Sequence, residues 1–152
     1  MLQPKVVLAP TDFSEWALQS VDAAAELAAK FSAALVLVHV VPALPKLPPD
    51  VSIFKEGDYE RRLHDDAVKR IAELAAKYEQ DGLSVRSEVG DANDVAMEIV
   101  RIADRQKADL IAIATHGVTG WNRLVLGSVA EKVVHLANCS VLVLRAGPHD
   151  NP

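Results

Sequence analysis

Short apolar runs alternate with longer stretches of helical periodicity along almost the whole chain, and that alternation leaves few folds open. Lys5-Val6-Val7-Leu8-Ala9, stopped by Pro10, reads as a buried strand. Ser14 follows as a candidate helix N-cap. Ala17, Leu18, Val21, Ala24, Ala25 and Ala28 then recur at helical spacing and predict a helix over residues 15–31. Ala34 to Val41 is a second strand, apolar except for His39 and ended by Pro42. The stretch from Pro42 to Gly57 holds four prolines and no periodicity, so it reads as a loop. Leu63, Ala67, Ile71, Leu74 and Tyr78 mark a second helix, closed by Asp81-Gly82. Leu83 to Val89 alternates like an edge or half-buried strand, and Gly90-Asp91 is expected to turn the chain. Val95, Ile99, Ile102 and Ala103 mark a third helix, and Asp109 to Ala114 a buried strand. Gly117 to Gly127 reads as a loop, Val129, Val133 and Leu136 as a fourth helix, and Val141 to Leu144 as a last strand.

The order β-α-β-α-β-α-β-α-β predicts one α/β domain: a doubly wound, five-stranded parallel sheet with helices on both faces. Its crossovers should be right-handed. A chain of 152 residues suits one such domain, expected over residues 1–147, with residues 148–152 as a frayed tail. Ligands of such sheets sit beyond the carboxyl ends of strands, at the topological switch point. Those ends are Ala9-Pro10-Thr11-Asp12, Val40-Val41 and Thr115-His116-Gly117.

Charge and composition narrow the function. The formal net charge is −5, which argues against a general nucleic-acid binder, since that needs a basic face. Any bound anion must therefore be held by local geometry. Cys139 is the only cysteine, so no intrachain disulfide forms, which suits a reducing compartment. The opening MLQPKVVLAPTDF lacks a signal-peptide pattern, and no apolar run has the length of a membrane span. A cytoplasmic protein without membrane contact is expected.

The strongest chemical signal is Ala114-Thr115-His116-Gly117, then nine residues, then Gly127-Ser128 opening a helix. The first amides of a helix have no internal partners, and its dipole is positive at that end, so the arrangement can hold an anion. Gly127 would let backbone approach a phosphate, Ser128 would add a hydroxyl, and Gly117 and Gly120 would loosen the loop. The same residues also suit a chain that merely caps a helix and turns a loop. G-x-x-x-x-G-K-[ST] and G-x-G-x-x-G are both absent.

The segment ATHGVTGWNRLVLGSVAEKVV resembles the signature of the universal stress protein family, in which Gly, two residues, Gly, nine residues, Gly and Ser or Thr follow in order. VVLAPTDFSEWAL, LVLVHVVP, KADLIAIATHG and CSVLVL resemble that family too, so the likeness covers nearly the whole chain. It implies a Rossmann-like fold of the adenine nucleotide α-hydrolase kind and a site for ATP or a related adenine nucleotide. By this resemblance Ala9, Pro10, Thr11 and Asp12 lie by the ribose and adenine, and Val40 meets adenine through its backbone. Ala114, Gly117, Gly127 and Ser128 hold the phosphates, with His116 and Val129 beside them. It also implies an antiparallel homodimer through Val141, Leu142, Val143 and Leu144. Two positions depart from the pattern: Ala114 stands where the first glycine belongs, and Val118 where a basic residue is common, with Arg123 as a substitute charge.

Asp12 suits either a turn or a ribose or magnesium contact. His116 is expected to position ligand rather than act as a base. His39 reads as a satisfied core histidine, and His64, His135 and His149 fall at no ligand spacing. Cys139 reads as inert packing, Glu56 to Arg62 as a solvated helix start, and Trp121 as either a lid or core filler, with Trp16 near another loop mouth. Three functions compete: a nucleotide-binding regulatory module of the stress response with slow or no hydrolysis, a dimeric scaffold of the same fold that binds protein clients without nucleotide, and an enzyme that activates a substrate with ATP. No acid–base pair or activated nucleophile stands out, which places the enzyme last.

Overall fold

The computed structural model describes residues 3–44, 56–115 and 126–145. The elements follow the expected order: β1 (Val6–Pro10), α1 (Glu15–Phe31), β2 (Ala34–Pro42), α2 (Glu56–Gln80), β3 (Val85–Ala92), α3 (Val95–Gln106), β4 (Leu110–Ala114), α4 (Ser128–Leu136) and β5 (Ser140–Leu144). The strands form one parallel sheet in the order β3-β2-β1-β4-β5.

Strand alternation divides the core into two layers. Val7, Ala9, Leu35, Leu37, Leu110 and Ala112 face α1 and α2, meeting Val21, Ala24 and Ala28 of α1 and Ile71 and Ala75 of α2. Leu8, Val36, Val38, Val40, Ile111 and Ile113 face α3 and α4, meeting Ile99 and Ile102 of α3 and Val133 of α4. The central strands are apolar on both faces because helices cover both. Tyr78 ties the first layer together: its hydroxyl donates to Asp22 Oδ1 at 2.7 Å, linking α2 to α1. Burial and that carboxylate push the Tyr78 hydroxyl above the ordinary tyrosine range.

Chain direction fixes where the sheet opens. The β1-α1 and β2-α2 units wind one way across the sheet, and β3-α3 returns the chain to β4 on the other side of β1. The switch point therefore lies between β1 and β4, where α1 leaves on one face and α4 on the other.

One expectation is corrected. Gly90-Asp91 does not turn the chain: β3 continues through both residues to Ala92, with Gly90 paired to Val40 and Asp91 to Val41. Glycine suits the position for lack of space. A Cβ built there would lie 2.9 Å from Glu98 Cγ and 3.3 Å from Ile102 Cδ1 of α3. β3 and β5 are the two edges, and the alternation of the first agrees with that place. The cluster Glu56 to Arg62 is indeed the start of α2. The expected tail, 148–152, and most of the proline-rich loop lie outside the described residues.

Candidate functional site

The turn after β1 is held by a chain of short hydrogen bonds. Thr11 donates its amide to the Val38 carbonyl at 2.8 Å, carrying the sheet ladder one residue beyond β1. Thr11 Oγ1 then accepts from the Phe13 amide at 3.0 Å, and Asp12 Oδ1 accepts from the Ser14 amide at 2.9 Å. Ser14 Oγ accepts from the Ala17 amide at 3.2 Å and caps α1 as expected. Asp12 thus serves the turn while standing exposed at the cleft.

Phe13 sits in the left-handed region at φ 63°, a conformation uncommon for a bulky side chain. Its ring meets the His39 ring, 4.6 Å away, and the Arg70 guanidinium of α2, 4.1 Å from the ring centre. His39 Nδ1 lies 2.8 Å from the Thr11 carbonyl. A carbonyl only accepts, so Nδ1 carries the proton here. His39 is therefore satisfied, but it is half-buried at the cleft wall rather than in the core.

Above the switch point these elements enclose a cleft of about 350 Å³, within the range of small-molecule sites. Val38 and Val40 of β2, Ile113 of β4 and Val95 and Ile99 of α3 give it an apolar side. Pro10, Thr11 and Asp12 form one rim. Ala114, Thr115, Gly127, Ser128 and Val129 form the other.

The three described helix N-termini around this cleft differ. Ser14 caps α1, and Asp94 caps α3 by accepting from the Met97 amide at 3.1 Å. Lys132 of α4 pairs with the Asp94 carboxylate and holds it below the usual carboxylate range. α4 has Gly127 at its N-cap and no side-chain cap. Its first intrahelical bond runs from the Glu131 amide to the Gly127 carbonyl, 2.9 Å. The amides of Ser128, Val129 and Ala130 precede it, as the first amides of a helix without intrahelical acceptors, and all three residues line the cleft. Gly127 has φ −60°, which any residue adopts, so what it supplies is an absent side chain. Its own amide is occupied, donating to the Thr115 carbonyl at 2.7 Å.

Eight of the expected site residues therefore meet in one cleft: Pro10, Thr11, Asp12, Val40, Ala114, Gly127, Ser128 and Val129. Ala9 does not reach it; its side chain is fully buried in the layer under α1 and α2. His116 and Gly117, with Val118, Gly120, Trp121 and Arg123, lie outside the described residues. Sequence reasoning passed over Val38, Ile99 and Ile113, and it named Thr115 within the motif and at a strand end without giving it a role of its own. The two-residue period would have found two of them, since Val38 shares a face with Val40, and Thr115 follows Ile113 by two. Among the described residues no group of three or more His, Cys, Asp or Glu side chains is placed to hold a metal, and no helix is long and apolar enough to cross a membrane.

Comparison with known proteins agrees with this fold. A sequence model of the universal stress protein family matches residues 4–145. Universal stress protein MJ0531 of Methanocaldococcus jannaschii is 34% identical over 147 residues, spanning 93% of this chain and 82% of its own. Among solved structures, MJ0577 superposes with TM-score 0.81 at 26% identity, covering 97% of this chain and 99% of that one. Two more distant structures share the fold: a universal stress protein in complex with cAMP (TM-score 0.65, 22% identity, covering 96% and 100%) and the Archaeoglobus fulgidus protein in complex with dAMP (0.64, 20%, covering 95% and 100%).

Proposed function

The chain belongs to the universal stress protein family, and from that premise we propose that it is a regulatory protein holding ATP or a related adenine nucleotide in the cleft at its switch point. One observation carries the reading: an apolar slot and an uncapped helix N-terminus share a single cleft of small-molecule size. The base would lie against Val38, Val40, Ile99 and Ile113, with its edge meeting backbone near Val40. Pro10, Thr11 and Asp12 would flank the ribose. The amides of Ser128, Val129 and Ala130, together with the α4 dipole, would receive the phosphates. This explains how a chain of net charge −5 can bind an anion without a lysine in the slot. Two proteins of this fold carry adenine nucleotides, cAMP and dAMP, which supports the ligand class.

Asp12 is the carboxylate beside which a magnesium ion carried by the phosphates would sit. His116 and Gly117 enter this reading on the sequence motif alone. Among the described lining residues Asp12 and His39 are the titratable side chains, and His39 Nδ1 is engaged by Thr11. We infer holding with slow or no hydrolysis. We also propose a cytoplasmic homodimer joined at the open edge of β5, through which nucleotide occupancy would reach a protein client.

Ala114 is compatible with binding. Leu110 and Ala112 face α1 and α2, so alternation directs the Ala114 methyl to that side, opposite Ile113. Mass spectrometry of small molecules released from the purified protein tests the ligand class. An adenine nucleotide is expected; a different ligand filling the cleft would replace this reading.

A further inference from the structure

Thr115 is fixed through its amide and its carbonyl, yet its hydroxyl makes no hydrogen bond among the described residues. Its amide donates to the Leu144 carbonyl of β5 at 2.9 Å, and its carbonyl accepts from Gly127 at 2.7 Å. Its Oγ1 is buried and has no hydrogen-bond partner among the described residues. A hydroxyl left this way costs free energy, and buried hydroxyls in folded proteins nearly always have partners.

Direction identifies the missing partner. Ile111 and Ile113 face α3 and α4, so alternation carries the Thr115 side chain to the same side, and Thr115 lines the cleft. Leu144 fixes its backbone on one side. On the other stands the start of α4, which has no side-chain cap and whose residues Ser128, Val129 and Ala130 line the same cleft. A hydroxyl both gives and accepts a hydrogen bond, but beside three amide donors the group that fits between them is an acceptor. The orphaned oxygen is thus a second observation beside the helix N-terminus, and the two point to the same ligand.

We propose that Thr115 is a phosphate-recognition residue, its hydroxyl donating a hydrogen bond to a phosphoryl oxygen of the nucleotide. This rests on the reading of the cleft as an adenine-nucleotide site. It adds a side-chain donor, beside the hydroxyl expected of Ser128, to a site built mainly from backbone, and it offsets the absence of a basic residue at Val118.

The test compares nucleotide-stripped wild type, Thr115→Val and Thr115→Ser by calorimetry with ATP and with adenosine, and by thermal unfolding without ligand. Valine keeps the shape and removes the hydroxyl. Its ATP affinity should fall about tenfold, about 1.4 kcal/mol, while adenosine affinity stays at the wild-type value. Its unliganded melting temperature should stay level or rise, because an unpartnered hydroxyl has been removed. Serine should restore ATP affinity. Unchanged ATP affinity in Thr115→Val overturns the proposal, as does an equal loss for ATP and adenosine, which would mean that Thr115 only shapes the cleft. Wild type that binds neither compound overturns the nucleotide reading itself, and the wild-type titration separates that failure from the others.

Discussion

Gly127 donates its amide to the carbonyl of Thr115 at 2.7 Å, tying the N-cap of α4 to the end of β4. This bond sets the helix N-terminus at the mouth of the switch point. It also leaves Ser128, Val129 and Ala130 as the amides proposed to receive a phosphate, with Gly127 contributing its missing side chain.

Gly127→Asp separates stability from binding for that reason. Aspartate is among the preferred N-cap residues, and its carboxylate would satisfy an amide that α4 leaves open. The variant should melt at the wild-type temperature or above it. The same carboxylate would occupy the phosphate position and repel its charge. Calorimetry should show ATP binding weakened by about a hundredfold or more, beyond about 2.7 kcal/mol. Wild-type affinity in a folded variant would place the phosphates elsewhere.

The open edge of β5 can be tested with proline. The Leu144 carbonyl points inward to the Thr115 amide. In a parallel pair a residue's amide and carbonyl point the same way and alternate along the strand. Ser140, Leu142 and Leu144 thus bond toward β4, and Val141 and Val143 point outward. Val143→Pro should leave the sheet intact and shift sedimentation from dimer to monomer, whereas Leu142→Pro should remove a ladder bond and lower the melting temperature. A dimeric Val143→Pro, or a monomeric wild type at micromolar concentration, contradicts pairing through this edge.

Gly90 gives a test of the fold behind the site. Alanine there would press on Glu98 Cγ and Ile102 Cδ1, pushing α3 away from β3 beside the residues that carry Ile99 into the cleft. Overpacking of this kind costs about 1–3 kcal/mol. For a domain of this size that lowers the melting temperature by roughly 2–12 °C. Wild-type stability would show that α3 yields easily.

Most of the fold was legible because covered parallel strands leave unbroken apolar runs, as in Val6 to Ala9 and Leu110 to Ala114. Gly90 misled because glycine at a close approach and glycine at a turn look alike in sequence. The rim of the site was legible from residues around the glycine spacing. Its apolar side was not, because Val38 of β2, Ile113 of β4 and Ile99 of α3 are core residues that also line the cleft. Phe13 gave no warning of its left-handed backbone, since the Arg70 and His39 contacts around it join residues far apart in the chain.

The most direct test of the central claim is a thermal scan of nucleotide-stripped wild type with and without millimolar Mg-ATP. Ligand at about 100 times its dissociation constant adds about 2.7 kcal/mol of stability. For a domain this size the account predicts a rise in melting temperature of roughly 5–10 °C. An unchanged melting temperature, in protein shown to carry no nucleotide beforehand, would contradict it and leave a scaffold that works without the ligand.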